Sequence, residues 1–177
     1  MKKLFLVLFL SLLVSCSDDP TELLLLSRAS VNNGSYETAR YNLEKLIKID
    51  STHQEAYMLM GRLEFELSNL KESVKYYDKV IEMNPQYVAA YHERAKVNRR
   101  LGLSDKAIKD LTYLLSLYNT DGAIFLERAN VYFEMDLMDL ACQDWKKAYE
   151  LGIIEADRIY QKFCVEFEVE EEEVVVE

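Results

Sequence analysis

Residues 88–121, VAAYHERAKVNRRLGLSDKAIKDLTYLLSLYNTD, decide the fold. Ala95 and Ala107 stand where two antiparallel helices must approach, Gly102 lies between them, and Tyr91, Leu111 and Leu114 supply bulk alongside. Small side chains let helix axes come close, and large ones fill the space where the axes diverge. Glycine permits the left-handed turn that ends a first helix. These classes recur at intervals of 34 residues. The small residue of the first helix is Ser27, Gly61, Ala95 and Ala129, and the turn is Gly34, Ser68, Gly102 and Asp136. The second helix has Ala39, Ser73, Ala107 and Ala141 at its small position. Large residues keep step as Leu23, Tyr57, Tyr91 and Phe125, then as Leu43, Tyr77, Leu111 and Trp145. The last apolar positions are Leu46, Val80, Leu114 and Ala148. A single hairpin of this kind cannot bury its apolar face, so neighbours must stack on it.

Four such units in one register, from Pro20 to Glu155, resemble the tetratricopeptide repeat. The resemblance implies an all-α fold, a right-handed superhelical α-solenoid of helix-turn-helix units at 20–53, 54–87, 88–121 and 122–155. The chain departs from the family pattern in two places. Only Tyr132 supplies the family's tyrosine, where Ser30, Glu64 and Asn98 stand in the other units. Only Pro85 supplies its closing proline, against Ser51, Asn119 and Ile153. Residues 156–165 read as a capping helix. Residues 166–177 hold seven acids and no base, the composition of a disordered acidic tail. One hypothesis is that this tail competes for the groove of the solenoid.

Arg94 and Arg128 each precede the small position, and Asp110 and Asp144 follow sixteen residues later. The first two units have Leu26 and Met60, then Asn42 and Tyr76, in those places. Arginine and aspartate occur together or not at all, which predicts a structural ion pair between helices.

The family resemblance also implies a concave face lined by the first helix of each unit. Arg28, Arg62, Lys96 and Asn130 share one lining position, with His92, Arg99, Arg100, Phe65 and Phe133 nearby and Glu55, Glu66 and Glu134 opposing them. The cations suggest a groove for an acidic or carboxylate-ended peptide. The same residues also fit a solvated face neutralised by Glu55 and Glu66. The family's carboxylate-clamp asparagines are unmatched, since Leu25, Leu59, Glu93 and Glu127 stand in those slots.

Upstream, Met1-Lys2-Lys3 precedes an apolar run, Leu4 to Val14, too short to span a bilayer as a helix. Leu13-Val14-Ser15-Cys16 resembles a bacterial lipobox, which implies a signal peptide at 1–15 and lipid on Cys16 with a tether at 16–19. Ser17-Asp18-Asp19 resembles an outer-membrane or surface-export signal, and the same aspartates suit a cap on the next helix, with Pro20 at its first position. The whole chain has net charge −10, and removing Lys2 and Lys3 with the leader makes it −12. That balance disfavours nucleic acid as a partner. Cys142 and Cys164 either form a disulfide or lie as separate buried thiols. Neither they nor the two histidines have metal-ligand spacing. No nucleophile–base pair, phosphate loop or cofactor motif is recognisable. The expected protein is therefore non-enzymatic and cofactor-free. It is an outer-membrane-anchored scaffold, periplasmic or surface-facing, that binds a protein or peptide. The alternative is a surface lipoprotein binding glycans or small molecules.

Overall fold

The computed structural model describes residues 19–165. The leader, Cys16 and the acidic segment 166–177 lie outside the described residues. Nine helices occur among those described: α1 (Pro20–Asn32), α2 (Tyr36–Ile49), α3 (Gln54–Glu66), α4 (Leu70–Met83), α5 (Val88–Arg100), α6 (Ser104–Leu117), α7 (Gly122–Glu134), α8 (Met138–Glu150) and α9 (Ile154–Phe163). The first helices of the four hairpins begin at Pro20, Gln54, Val88 and Gly122, which reproduces the spacing of the small residues. Asp19 caps α1 by accepting from the Thr21 amide at 2.8 Å, and Pro20 opens the helix.

Each hairpin turns on one residue with positive φ: Gly34 at 78°, Ser68 at 61°, Gly102 at 71° and Asp136 at 58°. The following amide then reaches back over the turn, as from Asn69 to the Glu64 carbonyl at 2.8 Å. The small positions are where the helices meet. Ala39, Ser73, Ala107 and Ala141 are fully enclosed, and Ser73 donates its hydroxyl to the Gly61 carbonyl at 2.7 Å.

Successive hairpins stack α2 on α3, α4 on α5 and α6 on α7, while α3 also touches α1 and α5. The result is an all-α solenoid whose buried apolar residues gather in clusters shared between neighbours: one across the first two hairpins, one across the third and fourth, and one beneath α9. Tyr57, Tyr91 and Phe125 are half-buried rather than central, and Leu43, Tyr77, Leu111 and Trp145 form the enclosed layer.

The far end differs from the expected boundary. The helix α9 starts at Ile154, two residues before 156, because α8 ends in the tight turn used inside hairpins. Gly152 has φ 91°, and the Ile153 amide bonds the Ala148 carbonyl at 3.0 Å. The early turn lays α9 on α8, where Tyr160 and Cys164 cover Trp145 and Ala141. Cys142 and Cys164 are joined by a disulfide.

Candidate functional site

The arginines at the seventh position of the third and fourth hairpins are built into the frame. Arg94 on α5 forms a fork on Asp110 of α6, at 2.9 and 2.7 Å, and its remaining Nη1 reaches Asp78 of α4 at 2.5 Å. Arg128 repeats the fork on Asp144 at 2.7 and 2.9 Å and reaches Thr112 of α6 at 3.0 Å. One guanidinium therefore ties three helices, two from its own hairpin and one from the hairpin before. Burial alone would lower the pKa of Arg94, but the two aspartates outweigh it and hold the group well above its ordinary value.

At the first joint the same work falls to Arg40, paired with Glu64, which also accepts from Asn69 at 2.8 Å. Glu64 is only 3% exposed. The repeat period does not reveal this pair, because its members belong to different repeats.

The concave face is less uniform than a ladder of cations. Arg28 is paired with Glu55 of the next hairpin. His92 lies 2.8 Å from Glu127, and Arg99 donates to Glu134 at 2.6 and 3.0 Å. Among the described residues, Lys96 meets only Glu93, on its own helix, at 3.2 Å. Arg62 is exposed and makes no salt bridge among the described residues. Arg100 sits 5.0 Å over the Phe65 ring.

Asn130, expected to line the groove, uses its side-chain oxygen to accept the Trp145 indole N–H at 3.1 Å. A buried indole must find an acceptor, and this one lies in reach. Phe133 packs against Trp145 and Phe163, with ring centroids 5.4 and 5.2 Å away.

What does converge is a groove of about 380 Å³ between α5 and α7. Ala95, Leu111 and Val131 floor it, Lys96, Arg99 and Arg100 form one wall, and Glu127 and Glu134 form the other. The small side chain of Ala95 leaves the floor open to Leu111 beneath. A cleft with an apolar base and charged walls suits an apolar side chain flanked by charged neighbours. No cluster of three His, Cys, Asp or Glu that could hold a metal occurs among the described residues. Among them, no helix is long and apolar enough to cross a membrane.

A family profile described as Tetratricopeptide repeat matches residues 54–87, the second hairpin from end to end. Residues 54–87 are a tetratricopeptide repeat. A second profile of the same description matches residues 76–109, which carries the tetratricopeptide pattern into the third hairpin. MamA has a solved structure 25% identical to this chain, with a TM-score of 0.72, covering 77% of this chain and 80% of MamA. A thermophilic tetratricopeptide protein of Thermus thermophilus is 23% identical with a TM-score of 0.63, over 81% and 80% of the two chains. These likenesses establish the tetratricopeptide solenoid as the fold. Among curated proteins, human DnaJ homolog subfamily C member 7 is 28% identical over 94 residues, 51% of this chain. The chain spans about a fifth of the length of that relative, at 19%.

Proposed function

We propose that this chain is a lipid-anchored scaffold of a bacterial cell envelope that holds a segment of a partner protein in the groove between α5 and α7. Stacked tetratricopeptide hairpins are protein-interaction scaffolds, and the groove supplies a specific place for contact. The observation that carries the reading is the pairing of an apolar floor with the Lys96, Arg99 and Arg100 wall. A buried apolar anchor provides affinity in such a cleft, while charge-assisted hydrogen bonds orient the segment.

Anchoring rests on the lipobox-like residues ending at Cys16. Asp19 already caps α1, so the intervening chain extends about 10 Å at most, and the first hairpin would lie against the membrane. Two or more acyl chains give durable attachment.

The test is crosslinking in intact envelopes, comparing the full chain with a Lys96→Glu/Arg100→Glu variant. Both residues are exposed, so the variant should keep its helical circular dichroism. A partner held by the full chain and lost from the variant supports the groove. An unchanged set of partners rules it out. In parallel, Cys16→Ser should release the protein from membranes. Continued sedimentation with membranes would remove the anchor.

A further inference from the structure

The described chain leaves the solenoid beside the groove's own wall. Phe163, two residues before the last described residue, packs its ring 5.2 Å from that of Phe133, the two planes tilted by 45°. Phe133 is followed by Glu134, which lines the groove and holds Arg99 at 2.6 Å. From Val165, twelve further residues, 166–177, span about 40 Å when extended, several times the distance from one stacked helix to the next. They carry seven carboxylates and no cation, with valines on both sides of the run Glu170 to Glu173.

The cations of the groove wall are unevenly committed. Arg99 is held by Glu134. Among the described residues, Lys96 has only the half-exposed neighbour Glu93, and Arg100 has only the Phe65 ring. These two can take carboxylates without breaking an ion pair between hairpins.

We infer that residues 166–177 occupy the groove between α5 and α7 of their own chain, setting carboxylates on Lys96 and Arg100 and valines on the Ala95–Leu111–Val131 floor. This deepens the proposed function and rests on it: the segment is a built-in competitor that a partner must displace. Tethering places it at an effective concentration in the millimolar range, so weak contacts suffice to fill the groove.

The experiment uses a fluorescein-labelled peptide of residues 165–177 and reads anisotropy at low salt. It compares the full chain, a variant ending at Val165, and that shortened variant carrying Lys96→Glu/Arg100→Glu. The shortened variant should bind the peptide. The full chain should bind it about tenfold more weakly, as expected if its groove is open about a tenth of the time. The charge-reversed variant should not bind, and raising salt should weaken what binding there is. Equal binding by the full and shortened chains would overturn occupation in cis, as would no binding to either. Sedimentation should show the full chain as a monomer, and a dimer that disappears on shortening would overturn the intramolecular form. Envelope partners that depend on Lys96 and Arg100 but bind the full and shortened chains equally would refute this inference alone. Partners indifferent to both residues would refute the proposed function with it.

Discussion

Gly61 lies against the ring of Tyr77, so closely that a Cβ built on the glycine would meet Cε1 at 2.6 Å. The other hairpins pair a slightly larger small residue with a different partner, as Ala95 with Leu111. Gly61→Ala should therefore cost about 1–3 kcal/mol through overpacking. Tyr77→Leu in the same chain should recover part of it, because leucine is the partner that alanine has in the third hairpin. A double-mutant cycle by urea unfolding reads the coupling. Strictly additive effects would show that the two side chains do not share the space.

Burial also holds the Tyr77 phenol well above its ordinary value. Its neutral form is favoured in the folded state, so its contribution is complete below about pH 10, where the unfolded phenol begins to ionise. It is lost as pH rises from there toward the folded value. Unfolding midpoints measured between pH 8 and 11 should fall at high pH, by at most about 1.4 kcal/mol per pH unit for this one group. Tyr77→Phe should flatten that slope without abolishing it, since burial raises Tyr76 and Tyr91 as well.

Arg94 and Arg28 both form ion pairs between helices, yet their removal should differ sharply. Arg94→Ala strands Asp110, which is 3% exposed, and should cost about 3–5 kcal/mol. Arg28→Ala opens a pair between two solvent-facing side chains and should cost less than about 1 kcal/mol. Equal losses in guanidinium unfolding would contradict this account of the frame.

Ser68 and Asp136 hold left-handed backbone at the turns where the other two hairpins have glycine. Side chains are strained there by about 1 kcal/mol. Ser68→Gly and Asp136→Gly should each raise the thermal midpoint. No gain at either site would mean that the side chains supply compensating contacts.

The Cys142–Cys164 disulfide fastens α9 to α8, much as Arg40–Glu64 ties α2 to α3. Reduction should lower stability by about 3 kcal/mol, the loop-closure effect for 22 residues of separation. Trp145 is the chain's single tryptophan and lies under α9, so its emission should report the loosening of the cap. A reduced protein with unchanged emission and midpoint would show that packing alone secures α9.

Repetition made the frame readable. Small, large and turn residues return every 34 positions because each hairpin solves the same packing problem, and the arginine–aspartate pair returns in the last two units. The groove was less readable. Asn130 shares its repeat position with Arg28, Arg62 and Lys96, yet it serves the neighbouring indole because the fourth hairpin alone has tryptophan there. Arg28 is neutralised by Glu55, while Arg100, one position beyond Arg99, lines the groove between α5 and α7.

Contacts within a hairpin follow from local order along the chain. Two helices joined by a three-residue turn have little choice of register, so the sequence period carries both the hairpin and its core. Contacts between hairpins depend on how far one unit rotates on the next. His92 meets Glu127 and Arg99 meets Glu134 at a separation of 35, one residue beyond the repeat, because successive helices stack with a small offset. That offset decides which cations are satisfied and which face open solvent, and it exists only once the units are packed together.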